Sequence, residues 1–321
     1  MQVHLFGILV LRGGGIANYT DTAGISISGY PLTNTSLVTV ISGEIKIDCS
    51  DEVNGVFGLY WGGSVTLSPF AMGQYEVTQE LYKAIMNENP SVFNDDTLTS
   101  GEIQELRPVD SVNWYQAVAF CNKLTKQTMG ESYCVYYTDE SCSSVYTTDH
   151  ASSQLLPYFD QSKKGYRLPT EAEWEFSARG GKETEPDWNY AYPGIYKNDD
   201  GTSDNLITVA WFRYLKNYDY NTCTHEVGLK LQNRLNLFDM AGNVQEWCWD
   251  LPIDDEDTTY YNQNVTNPVG SNISSEERIV RGGYWEDYES SCECTSRYQE
   301  DAVPTNQYSP NTLGFRICRS L

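Results

Sequence analysis

The sequence is short of positive charge: 21 lysines and arginines stand against 44 aspartates and glutamates, a net charge of −23. A polyanion would be repelled by that field, and no basic stripe interrupts it, so nucleic-acid binding is excluded. Histidine is scarcer still, with only His4, His150 and His225 and no motif among them. Nine cysteines are too thin a supply for a disulfide scaffold of this length, and an odd count leaves at least one unpaired. No Cys-x-x-Cys occurs, and Cys292-x-Cys294 is too tight for a zinc site. Cys121 falls on an expected helix and reads as a buried thiol. The apolar run from Val3 to Leu11 is too short to cross a bilayer, so no membrane-spanning segment is expected. It also lacks the basic flank and small-residue cleavage site of a signal peptide, and reads as a β-strand.

What is present is aromatic: 24 tyrosines and 8 tryptophans in a chain that is 40% hydrophobic and 20% charged. That balance belongs to a folded protein. Tyr and Trp bring large apolar area with a polar handle, suited to wet cores and to recognition surfaces. Residues 1–36 are rich in Gly, Thr and Ser, with period-two runs such as Gly24 to Ser28, and are expected to be a β-rich leader or the remnant of a preceding domain. Residues 37–321 are expected to form the main domain. Within it, Leu37 to Ile47 and Gly63 to Met72 read as strands. One helix is expected after the N-cap Thr78, ending at Pro90, and a second from Asp110 or Ser111 to Gly130. A third, short helix opens with the capping box of Thr170 and Glu173 and stops at Gly180-Gly181. Beyond Gly181 only short strands are expected, including Arg278 to Val280 and Gly314 to Cys318. The class is α+β, with few regular elements and long loops.

Five segments carry a resemblance. They are Met72 to Thr78 (MGQYEVT), Pro108 to Trp114 (PVDSVNW), Tyr166 to Glu175 (YRLPTEAEWE), Leu237 to Trp247 (LFDMAGNVQEW), and Arg281-Gly282-Gly283 with Leu313 to Arg316 (LGFR). In this order and spacing they resemble the formylglycine-generating enzyme, or sulfatase-modifying factor, family across roughly residues 37–321. The resemblance implies a C-type-lectin-like fold. It also implies an enzyme that oxidises a client cysteine with two thiols holding copper(I), six and eleven residues after the Arg of Arg-Gly-Gly. Here those positions are Asp287 and Cys292. A carboxylate is a hard ligand, so no copper is expected. Cys294 is not expected to converge with Cys292 as a replacement. The family's client groove has Ser where this chain has Tyr284, whose bulk would obstruct it. A relative that forms a sulfur–carbon bond with histidine-held iron is excluded by the lack of a histidine motif.

The segment between Arg-Gly-Gly and Leu-Gly-Phe-Arg is instead stocked like a paratope. Tyr284, Trp285, Tyr288, Tyr298 and Tyr308 would serve as anchors, and Asp287, Ser290, Ser291, Ser296, Gln299 and Asn306 as adaptable polar contacts. It resembles the variable proteins of diversity-generating retroelements, in which this segment is mutated at adenine-rich codons. The bland alternative is an undiversified paralogue with a polar surface, and Glu286, Glu289, Glu293, Gln299 and Glu300 fit that spectrum poorly.

The resemblance also implies a structural Ca²⁺, with Asp239 and Glu246 giving side-chain oxygens and Gly242 and Val244 backbone carbonyls. The alternative is that Asn243 and Glu246 merely hydrogen-bond a turn. Two function classes follow. One is a non-enzymatic binder of a protein or glycan, at the cell surface or outside the cell and lipid-anchored through a segment outside this sequence. The other is an oxidase acting through Cys292. A structural surface module without a defined ligand is the third reading.

Overall fold

The computed structural model describes residues 64–94, 99, 101–181, 186–195, 205–213, 222–252, 264–270, 276–304 and 310–321, with four short strands nearer the N-terminus. Those strands are β1 (Tyr19–Thr20), paired antiparallel with β2 (Ser26–Ile27), then β3 (Glu44–Ile47) and β4 (Glu52–Asn54). Most of the expected leader, the Val3–Leu11 run included, lies outside the described residues.

Local signals explain the helices. Helix α1 (Gln79–Met86) starts where the Thr78 hydroxyl accepts the Leu81 N–H at 3.3 Å. It stops at Asn87, whose φ of +66° turns the chain out of the helix, earlier than the expected Pro90. Helix α2 (Trp114–Thr128) begins later than expected. Its cap is Asn113, which trades hydrogen bonds with Gln116 at 2.9 and 3.0 Å in a capping box. Asp110 turns inward instead, accepting the backbone N–H groups of Val92 at 2.8 Å and Phe93 at 3.4 Å. After a one-turn helix α3 (Thr148–Ser152), helix α4 (Glu171–Ala178) carries the expected Thr170–Glu173 capping box. Among the described residues no helix is long and apolar enough to cross a membrane.

The sheet that positions the site has strand order β12-β11-β9-β13. These strands are β9 (Gln245–Trp247), β11 (Glu277–Arg281), β12 (Arg297–Asp301) and β13 (Leu313–Gly314). Neighbours run antiparallel except β13, which runs parallel to β9 with Gly314 opposite Glu246. Gly314 is required there, because a Cβ would stand 2.6 Å from the Val109 carbonyl. Side chains alternate faces along a strand, and this divides the core. Val280 and Trp247 join one apolar cluster with Trp114, Phe120 and Phe315. Ile279 and Cys248 join another with Trp174, Phe176 and Leu237. A second sheet of three strands sets β6 (Phe70–Gly73) between β3 and β14 (Cys318–Ser320). Smaller sheets pair β5 (Ser64–Thr66) with β4 and β10 (Val265–Thr266), and β7 (Tyr136–Tyr137) with β8 (Tyr158–Phe159).

Charge pairs tie helix α4 to everything around it. Arg167 grips Glu173 with two bonds at 2.6 and 2.7 Å, and Arg297 grips Glu171 at 2.8 and 2.9 Å. Glu175, wholly buried, is shared by Arg179 at 2.9 Å and Arg281 at 2.5 Å. Removing one partner of such a pair strands the other charge in a low-dielectric interior. Glu175→Gln is therefore expected to lower the unfolding free energy by about 3–5 kcal/mol in urea denaturation. A loss under about 1 kcal/mol, the value of an exposed pair, would show that the guanidinium groups find other partners.

Candidate functional site

Strand β11 ends at Arg281, and Gly282 and Gly283 follow with φ of +94° and +71°. A Cβ on Gly283 would lie 3.0 Å from the Ser291 carbonyl and 3.1 Å from the Cys292 sulfur. The Gly-Gly pair thus lets the next residues fold back over the sheet edge. They pass through a short 3₁₀ turn (Glu289–Cys292) into β12.

On this fold-back Tyr288 and Tyr298 are the exposed aromatics, 53% and 41% accessible. Tyr284 is half-buried. Burial and then the charges of Asp287, Glu286 and Glu300 push its phenol up to about 12. Ser291 is buried, yet its hydroxyl meets the Tyr298 hydroxyl at 2.9 Å. Ser291 and Tyr298 are therefore in contact, and Asp287 lies close enough to Tyr284 for its charge to raise that phenol. Ser290 is exposed, and its carbonyl accepts the hydroxyl of half-buried Ser296 at 2.5 Å.

Trp285 departs from the expected surface role. It is 8% accessible and packs with Phe93, Cys223 and Tyr284, its ring edge-on to Phe93 at 5.2 Å. Gln299 is exposed but projects to the face opposite Tyr298, because successive strand residues alternate. Asn306 and Tyr308 lie outside the described residues.

The two thiols are sealed and apart. Cys292 is 1% accessible among Tyr192, Ala241 and Phe212, whereas Cys294 packs in the cluster with Trp174 and its N–H bonds to Ala191. Burial, reinforced by Asp287, Glu289 and Glu293, holds the Cys292 thiol well above the ordinary range. Burial likewise pushes Cys294 up to about 12. Both are neutral thiols at physiological pH. Cys121 is fully buried on α2, as its helical position implied.

The Asp239–Trp247 loop forms a second centre below this surface. Gly242 there is irreplaceable: at φ +75° a Cβ would fall 1.9 Å from the Trp211 carbonyl. Val244, in the same loop, is buried. Glu246 accepts Arg316 through both oxygens, at 2.6 and 2.5 Å, and the Trp174 indole N–H at 2.7 Å. A carboxylate has about four lone-pair positions, so three are filled and one remains, on Oε1. Asp239 takes the Gly228 N–H on Oδ2 at 2.7 Å, while its buried Oδ1 has no hydrogen-bond partner. Burial pushes its carboxyl up to about 6. No group of three or more His, Cys, Asp or Glu side chains is placed to hold a metal among the described residues. A cation here would thus have two side-chain oxygens and would rely on carbonyls for the rest, which suits calcium and not a softer metal.

Two participants escaped the sequence reading. Glu76, buried, accepts the Asn243 amide at 2.7 Å and the Val244 N–H at 3.2 Å, and burial beside Asp239 and Glu246 raises its carboxyl well above normal. Arg213 bonds its N–H to the Asp287 carbonyl at 2.8 Å and lays its guanidinium 5.3 Å from the Tyr288 ring centre. Glu76 sits inside a quoted motif and carried that signal. Arg213 sits in none.

Comparison with known proteins agrees with this architecture. The chain is 29% identical over 313 residues to the chaperone protein LppX of Paenibacillus barcinonensis, covering 95% of this chain and 96% of that one. It is 26% identical to the formylglycine-generating enzyme of Mus musculus, over 92% of this chain and 78% of the other. Among solved structures, Treponema denticola variable protein 1 superimposes with a TM-score of 0.65 at 33% identity, covering 81% of this chain and 87% of that chain. Residues 27–321 match the sulfatase-modifying factor enzyme 1-like domain, and the chain belongs to that family, with its α+β, formylglycine-generating-enzyme-like fold.

Proposed function

We propose that this chain is a non-enzymatic binding protein that presents residues 284–312 as a recognition surface. The observation that carries the reading is the exchange at the family's thiol pair. One position is the half-buried carboxylate Asp287, and the other is Cys292, a sealed neutral thiol. Copper(I) oxidation needs two converging thiolates, and this arrangement offers none. In their place stand Tyr288 and Tyr298, large rigid side chains that gain contact area at low entropic cost. Similarity to a variable protein supports the same reading. The ligand class is a protein or a glycan.

Replacing Tyr288 and Tyr298 together with Ala is expected to lower Tm only modestly, since what is lost is one hydroxyl pair and one exposed cation–π stack, each worth about 1 kcal/mol. The same change should abolish selection of ligands from a displayed peptide or glycan library. Incubation of the wild type with copper(I) and a cysteine-containing sulfatase peptide should yield no aldehyde. Aldehyde formation that disappears in Cys292→Ala would establish the oxidase instead.

We further propose that the segment is diversified by a retroelement. The expected genomic sign is a near-copy of the DNA encoding Tyr284 to Phe315 beside a reverse transcriptase gene. An undisturbed locus, with the same segment sequence in sister isolates, would return the chain to an ordinary paralogue.

We also propose a structural Ca²⁺ at the free oxygens of Asp239 and Glu246, with the carbonyls of Gly242 and Val244. Its role is to neutralise buried carboxylates and cross-link a loop-rich half of the domain. Chelation should lower Tm by several degrees, since loss of a ligand at a hundredfold its Kd costs about 2.7 kcal/mol. Added calcium should restore it in wild type and not in Asp239→Ala. Identical melting curves with and without chelator would remove the ion.

A further inference from the structure

Asp287 is half-buried, and among the described residues it has no counter-ion. Its backbone is fixed on both sides, the N–H donating to the Tyr284 carbonyl at 2.9 Å and the carbonyl accepting the Arg213 N–H at 2.8 Å, so the carboxylate is held in place. Among the described residues no Lys, Arg or His forms an ion pair with it. The nearby cation, Arg213, uses its backbone N–H on the Asp287 carbonyl and turns its guanidinium over the Tyr288 ring. Burial leaves the unpaired carboxyl raised to about 6, the state that an entering positive charge would relieve.

Aromatic rings stand around this carboxylate. Tyr284 feels its charge, Tyr288 adjoins it in the chain, and Tyr298 bonds the hydroxyl of Ser291 on the same fold-back. Ring faces attract ammonium and guanidinium groups, most strongly where water is partly excluded. The 5.3 Å stacking of Arg213 on Tyr288 shows that a face here accepts a guanidinium. The rim adds charge of the same sign, with Glu286 exposed and Glu300 within range of Tyr284.

We infer that Asp287, framed by Tyr284, Tyr288 and Tyr298, receives the ammonium or guanidinium group of a Lys or Arg side chain on a protein partner. This rests on the recognition reading above and narrows it to cationic polypeptides. A glycan offers hydroxyl or anionic groups, and a chain of net charge −23 repels the latter. The residue that occupies the place of a catalytic thiol would thus be the specificity determinant of the surface.

The test pans a random peptide library against the full chain and remeasures the selected peptides, made synthetically, by fluorescence polarisation. Selected peptides should carry Lys or Arg. Replacing that residue with Gln in the peptide, or Asp287 with Asn in the protein, should weaken binding at least about tenfold, as expected for a desolvated charge pair. Glu286→Gln, on the exposed rim, should change it only about twofold. Melting curves check that Asp287→Asn is folded, and Asp287→Ser serves as a second variant that also lacks the charge. Cationic peptides that bind Asp287→Asn and Asp287→Ser as well as wild type would overturn the inference, leaving only general acidity. Selected peptides without a cation that still need Tyr288 and Tyr298 would overturn it while the recognition surface stands. Selection of nothing that depends on those tyrosines would bring down both.

Discussion

The guanidinium of Arg316 is the contact on which the rest of the domain depends. It holds Glu246 by both oxygens and also reaches the carbonyls of Gly73 at 3.2 Å and Phe238 at 3.0 Å. Those partners lie 70, 243 and 78 residues away in sequence. One buried cation therefore draws β6, the Asp239 loop and β9 onto the segment between β13 and β14 at a single point. A planar fork of five donors can do this where an ammonium could not. Glu246 passes the constraint on through Trp174 to helix α4, so the two apolar clusters on either face of the sheet are registered against each other.

Helix α4 extends the same logic. Its three glutamates are all buried, a costly choice unless each finds a guanidinium. Arg167, Arg297, Arg179 and Arg281 supply them, the last also lying 5.1 Å over the Trp174 ring. A loop-rich domain has few ladders to align its pieces, and directional ion pairs take over that task. This is why the motifs that carry the family resemblance are so rich in Arg, Glu and Trp. They encode the pairing of distant segments, not chemistry at a surface.

How much was legible follows from the range of each signal. Caps act within four residues, so Thr78, Thr170 and Glu173 could be read from the chain alone. The start of α2 was misplaced because Asp110, Ser111 and Asn113 are all good caps, and only the tertiary contact of Asp110 with Val92 and Phe93 decides among them. The candidate segment could be bounded between Arg281 and Leu313 from the chain alone, but the placement of its side chains could not. Trp285 looked like an anchor for a ligand, yet Phe93 and Cys223, distant in sequence, had already claimed it. Arg213 joins the surface through a contact across 74 residues with no motif to announce it. Gln299 was assigned to the surface by composition, where the period-two rule, applied from Tyr298, places it on the other face.

The thiol-to-carboxylate exchange at Asp287 makes physical sense only together with the fate of Cys292. A thiolate next to Asp287, Glu289 and Glu293 would suffer like-charge repulsion in a dry environment, so Cys292 stays protonated and behaves as a small apolar side chain. It closes the floor under the fold-back, packed among Tyr192, Phe212 and Ala241, where Gly283 gives it room. Asp287 is half-buried beside Tyr284 and Tyr288, and among the described residues no cation pairs with it. Where the resemblance implies a sulfur this chain places a half-buried charge, and on the recognition reading proposed above that charge would select partners by the sign they bring.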